Sequence, residues 1–137
     1  MQLDSLYEYV LLSGLVGNGS VPNDTRPKLY LYDALAAEHA GEDLFALLMV
    51  HPAGFSNNED LPNYHKGMLQ IVVTSRYYDV GYSLAKSLSE RMHVNGLDLE
   101  DMYIYRCVPR HLPISYRRNE QGLLEFSVNF DTTVRLK

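Results

Sequence analysis

The sequence predicts an α+β domain: an antiparallel or mixed sheet of about five to six strands, with an N-terminal helix and a second helix packed on one face. Three observations carry that prediction. Apolar residues recur at helical spacing at the start of the chain. Near the middle, "MLQIVVTSRYYDVGYSLAKSLSERM" runs from a strand pattern straight into a helix pattern. The last third alternates apolar and polar residues with a period of two.

The elements follow in order. Leu3, Leu6, Tyr7, Val10 and Leu11 mark one helical face, with Asp4 and Glu8 on the other side near the positive end of the helix dipole. Gly14, Gly17, Asn18 and Gly19 end that segment, and "GNGSVPNDTRP" reads as a connector. "KLYLYD" (28–33) is a short strand, whereas "ALAAEHAGED" is ambiguous, a helical turn stopped by Gly41. "LFALLMVH" (44–51) is a continuous apolar run suited to a strand buried on both faces. "PAGFSNNEDLPNYHKG" (52–67) reads as a long polar loop, longer than ordinary connections and expected to be mobile.

In the strand that follows, Leu69, Ile71 and Val73 share one face and Gln70, Val72 and Thr74 the other. Tyr77, Gly81, Leu84, Ala85, Leu88 and Met92 then fall at helical spacing, with Lys86, Ser87, Glu90 and Arg91 facing away. Asp79 suits the N-cap or first turn, and "NG" at 95–96 is expected to close the helix. "MYIYRCV" (102–108) and "LPISY" (112–116) read as strands. "RRNEQG" reads as a turn. In "LLEFSVNFDTTV", Leu124, Phe126, Val128 and Phe130 oppose Glu125, Ser127, Asn129 and Asp131, so one face is wet or partnered.

Bulk properties narrow the function classes. The 137 residues make one domain, 1–137, large enough for a core without disulfide or metal. A net charge of −5 argues against wrapping DNA with a basic face. No stretch approaches the roughly 18 apolar residues of a membrane span, and "MQLDSLYEYVLL" lacks the basic start of a signal peptide. Eleven tyrosines against four phenylalanines suit either strand-rich structure or interfaces.

No catalytic constellation emerges. His39, His51, His65, His93 and His111 lack metal-site spacing, and Pro109 keeps Cys107 and His111 off a shared helical face. Cys107 paired with a histidine is the sharper enzyme reading. Cys107 as a small apolar filler in a strand is the stronger one. "LVGNGS" lacks the strand and third glycine of a dinucleotide loop. Arg106, Arg110, Arg117 and Arg118, with Tyr105 and Tyr116 among them, suit nucleic acid or the rim of a protein interface. The acidic total favours the interface.

"SRYYDVGYSLA" and "LPISYRRNEQGLLEFSVNF" resemble the tail terminator proteins of long-tailed bacteriophages, also called tail-to-head joining or minor capsid proteins. The resemblance covers residues 64–131 well and the first 60 in outline. It implies a non-enzymatic virion protein without cofactor or metal, assembled in the host cytoplasm. Such a protein forms a ring, usually six-fold, that caps the tail tube and joins it to the head connector. DNA passes its channel without specific binding. A head-completion or stopper protein of the neck is the alternative in the same setting. For partner contacts the expected residues are Phe55, Leu61 and Tyr64 as anchors in the long loop. Across a head-to-tail seam, Arg117 and Arg118 at a hairpin tip are expected to face Glu59 and Asp60.

Overall fold

A computed structural model of the chain describes residues 1–116 and 118–137, with the side chains of all of these except Glu38 and His39. Ten elements follow one another: α1 (Asp4–Leu11), β1 (Lys28–Leu31), α2 (Leu35–Ala40), β2 (Leu44–Ser56), β3 (Tyr64–Ser75), α3 (Tyr78–Met92), β4 (Val94–Asp98), β5 (Met102–Pro109), β6 (Ile114–Ser115) and β7 (Leu124–Leu136). The strands form one mixed seven-stranded sheet in the order β1-β2-β3-β7-β5-β4, with β6 also pairing β7. Only the β1–β2 pair is parallel among the described pairings. The fold is α+β as expected, with one strand more than the sequence suggested.

Alternation builds the core. On β7, Phe126, Val128, Phe130 and Val134 point inward, and the antiparallel register sets Val73, Ile71 and Leu69 of β3 beside the first three. Ala46 and Leu48 of β2 and Met102, Ile104 and Cys107 of β5 extend the same layer. Helix α3 lays Gly81, Ala85, Leu88 and Met92 on that face, and α1 adds Leu6 and Val10. Both helices thus cover one side of the sheet, because only that side presents a continuous apolar surface.

The strand-to-helix joint is built by Ser75. Its hydroxyl accepts a hydrogen bond from the Tyr77 amide at 3.1 Å and donates one to the Tyr77 carbonyl at 2.8 Å. Asp79 lies in the first turn of α3, while the N-cap is Tyr77, which makes no side-chain cap bond. Tyr77 was expected on the buried stripe; it is instead 64% exposed. At the far end, the Arg91 guanidinium stacks 3.8 Å from the centre of the Tyr9 ring and donates to the Tyr9 carbonyl at 2.7 Å. That double contact fastens α3 to α1.

Three expectations need correction. "NG" at 95–96 does not close the helix: α3 ends at Met92, and Asn95 and Gly96 lie within β4, with Gly96 at φ +75°. The segment 44–51 is buried on both faces only at its start, where Phe45 and Ala46 are both buried; from Leu47 on, its outward residues are half-buried. The segment 52–67 is not one long loop. Strands β2 and β3 consume most of it and leave a tip of residues 57–63.

That tip is ordered by its own chemistry. The Asn58 side chain accepts from the amides of Asp60 and Leu61 at 3.0 and 3.2 Å, and the Leu136 amide of β7 donates to the Asn63 carbonyl at 2.7 Å. The hairpin stayed hidden in the sequence because β2 carries an irregularity between Val50 and Phe55 that breaks its alternation.

Gly81 supplies a sharp test of the helix–sheet contact. A methyl group there would overlap the Phe126 ring and approach the Ser75 side chain. In an open helix Gly→Ala gains up to about 1 kcal/mol. Here overpacking reverses the sign, and Gly81→Ala is expected to cost about 1–3 kcal/mol in denaturant titration. Leu88→Ala is expected to cost about 2–5 kcal/mol, whereas exposed Lys86→Ala stays within about 0.5 kcal/mol. A stabilised Gly81→Ala variant would show that α3 does not sit against Phe126.

Candidate assembly interface

The side of the sheet opposite α1 and α3 is open over most of its length, although Phe45, Thr74 and Ser127 at one end of it are buried. Register places its residues in rows across the strands. Phe45, Thr74 and Glu125 form one row; Leu47, Val72, Ser127 and Ile114 form the next. Met49, Gln70 and Asn129 follow, and there the Gln70 amide donates to the Asn129 side chain at 3.0 Å. Met68, Asp131 and Val108 come next, then Lys66, Thr133 and Arg106, and finally Tyr64, Arg135 and Tyr103. The middle rows are half-buried and mixed, too polar for a core and too apolar to be a solvated face.

The two ends of this face differ in chemistry. At the end where α3 begins, Tyr77, Tyr78 and Val80 are exposed, and alternate residues Leu112, Ile114 and Tyr116 line the edge at β6. At the other end, Tyr64, Tyr103 and Tyr105 pack as a cluster, with ring centres 5.9 Å apart for Tyr64–Tyr105 and 4.9 Å for Tyr103–Tyr105. Lys66, Arg106 and Arg135 surround that cluster. Arg110 is engaged with Asp131 at 3.4 Å.

The residues expected at the interface fall as follows. Glu59, Asp60 and Leu61 are exposed on the 57–63 tip. Phe55 packs on the rim of the core against Gly67, where no side chain beyond hydrogen fits. Tyr64 is half-buried in the tyrosine cluster. Arg117 lies outside the described residues. Arg118 does not project freely: its guanidinium donates to the carbonyls of Arg76 at 3.1 Å and Gly122 at 2.7 Å, clamping the 119–122 turn. The tip precedes Tyr64 and the Arg118 clamp sits on Arg76, so the length of β3 separates them, about 40 Å. Lys66 and Arg135 carried no signal in the sequence. Only the pairing of β3, β7 and β5 brings them beside Arg106.

The enzyme reading finds no geometry. Cys107 is buried in the core, where its described hydrogen-bond partner is the Thr132 hydroxyl at 3.7 Å. Burial pushes its thiol up to about 11. His111 is occupied by backbone groups, its Nε2 accepting from the Asn129 amide at 3.4 Å. Among the described residues no group of three or more His, Cys, Asp or Glu is placed to hold a metal ion. A recess lined by Phe45, Thr74 and Leu123 holds about 90 Å³. No described helix is long and apolar enough to cross a membrane.

Comparison with known proteins places this arrangement. A chain of the solved structure described as the virion of a native gene transfer agent (GTA) particle aligns over 96% of this chain and 92% of its own length. The TM-score is 0.62 and the identity 11%, so the likeness is one of fold. The sheet with two helices on one side is therefore a fold used by a virion component. No curated protein matches the sequence. The chain itself belongs to the bacteriophage tail terminator protein family, whose model matches residues 16–136. It is a structural protein of the phage tail.

The environment of Cys107 sets an alkaline limit on stability. Its pKa rises from 9.0 to about 11 by desolvation. Tyr30, half-buried and donating to Glu42, rises from 10.0 to about 12, chiefly by desolvation. A raised folded pKa means the stabilisation is whole below the unfolded value and lost as pH climbs through the folded one. Denaturation midpoints are thus expected to fall from pH 9 upward, and Cys107→Ala removes the part of the decline between pH 9 and 11. Native protein at neutral pH is expected to resist thiol reagents that label the unfolded chain at once. Rapid native labelling would place Cys107 outside the core.

Proposed function

We propose that the protein forms a ring that closes the tail tube and joins it to the head connector. The observation that carries this reading is the open side of the sheet. Helices α1 and α3 lie on one face, and most of the opposite face remains half-apolar, with tyrosine-rich surfaces at its two ends. A structural protein of the tail uses such surfaces for protein contacts, where tyrosine and arginine are the enriched types. Membership of the tail terminator family supports the terminating and joining role.

Ring closure requires a heterologous contact, in which one patch meets a different patch on the next copy. The chain offers chemically unlike surfaces on one domain, which suits a closed ring, six-fold by the family resemblance. The tube protein meets one rim and the head connector the other. The channel passes DNA without gripping it, in keeping with a net charge of −5.

Removing the gene from a producing strain is expected to leave filled heads and separate tails, and purified protein added to that extract restores joined particles. Imaging the neck of intact particles is expected to show the chain as a ring between tube and connector. Joined particles made at normal yield without the gene would overturn the proposal.

A further inference from the structure

Three cations converge where the sequence showed none together. Lys66 of β3 and Arg106 of β5 both pair Thr133 of β7, one from each side, and Arg135 lies two residues further along β7 on the same face. All three are exposed. Among the described residues none of them has a carboxylate within ion-pair distance, whereas the neighbouring Arg110 is taken by Asp131. Lys66, Arg106 and Arg110 line an open groove of about 400 Å³ floored by Met68 and Thr133. Beside it stand the tyrosine rings of residues 64, 103 and 105.

The same chain carries the complement. Glu59 and Asp60 sit, exposed, at the tip between β2 and β3 and form no described ion pair. Leu61 beside them is 54% exposed. A tip with two carboxylates and one apolar side chain matches a patch of three cations and its flanking tyrosines in both charge and hydrophobicity. Within one chain Asn57, Asn58 and Leu61 of the tip line a recess with Tyr64 and Lys66, but Glu59 and Asp60 make no described ion pair with the patch. Two unsatisfied and complementary surfaces on one molecule are the requirement of a heterologous contact between copies.

We infer that the patch of Lys66, Arg106 and Arg135 receives the Glu59–Asp60 tip of the neighbouring copy. This rests on the ring proposed above and moves its seam from the Arg117–Arg118 turn to the lower half of the open sheet face. Duplex DNA is the other polyanion that three cations attract. The acidic total of the chain, and the two aspartates at the patch margins, Asp98 and Asp131, favour a short acidic segment over a phosphate backbone.

Charge exchange tests the contact in particles. Lys66→Glu with Arg106→Glu, and separately Glu59→Lys with Asp60→Lys, are each expected to lower the yield of joined particles by roughly tenfold or more. The four changes in one chain are expected to restore most of the yield, with thermal melting of each purified variant near the wild type. Absence of loss, or loss without restoration, overturns the inference. Should the combined variant misfold, carbodiimide cross-linking of wild-type particles built from two isotopic forms decides. A link between Lys66 of one form and Glu59 or Asp60 of the other supports the contact, and its absence where other links between copies form overturns it. Wild-type binding to a duplex DNA fragment that only the patch reversal abolishes would assign the patch to nucleic acid. Neck images separate the two levels: a ring with unrestored exchanges rejects only this seam, and no ring rejects the proposed function.

Discussion

Strand β7 is the constraint on which the rest of the structure depends. It pairs β3 along one edge for twelve residue pairs, and β5 and β6 share its other edge. Its strict alternation therefore decides two surfaces at once. The inward set draws α3 and α1 onto one side of the sheet. The outward set of Asn129, Asp131 and Thr133 disfavours a helix on the other, because burying them beneath apolar side chains would strand their polar groups; Ser127 beside them is buried and meets the Tyr116 hydroxyl. A sheet this size covered on one side alone has a surface left to give to partners. The open face is thus a consequence of β7's composition rather than an accident of how the helices fell.

The elements with long, regular periods were legible in the sequence: α1, α3, β7 and the second half of β3. Their periodicity is a direct image of which side is buried. What stayed hidden had a physical reason in each case. Strand β4 was masked by Asn95-Gly96, a turn signature that here serves a strand at the edge of the sheet, where a positive φ is tolerated. The β2–β3 hairpin was masked by Pro52 and Gly54 in the irregular stretch, which look like loop residues and in fact let β2 re-pair at Phe55. Tyr77 kept helical spacing but lies at the N-cap, outside the buried stripe. The basic patch was invisible because its members are separated along the chain by tens of residues and meet only through strand register. The local run of arginines that drew attention instead includes Arg118, which is spent on backbone carbonyls.

The excess of tyrosine resolves into two uses. Tyr7 donates to the Leu29 carbonyl at 2.7 Å, Tyr32 accepts from the Leu3 amide at 2.6 Å, and Tyr30 donates to Glu42 at 2.6 Å. With the Tyr9–Arg91 stack, these bonds tie α1, β1 and the segment after α2 into one unit. Phenylalanine would fill the same space and lose those tethers. Six of the remaining rings stand in two surface groups, residues 77, 78 and 82 at one end of the sheet and 64, 103 and 105 at the other, and Tyr116 meets the Ser127 hydroxyl. Strand propensity accounts for neither use by itself, since both depend on where the hydroxyl ends up.

A protein that closes on copies of itself, as proposed above, faces a particular risk from exposed strand edges, which pair indiscriminately. Here the edges are handled unequally. The start of β1 is already capped by Gly17, whose carbonyl accepts from the Leu29 amide at 2.8 Å and whose amide donates to Pro27. Strand β4, at the opposite edge, is short and broken by Gly96, with Asp98 engaged by Lys137. Backbone pairing between copies is thereby discouraged at both edges, and side-chain recognition across the open face is left to set specificity. Charge suits that task, because a wrong partner meets like charge at close range while the right one meets its complement. An acidic tip and a basic patch on one chain supply both halves of such a code, and they leave the edges out of it.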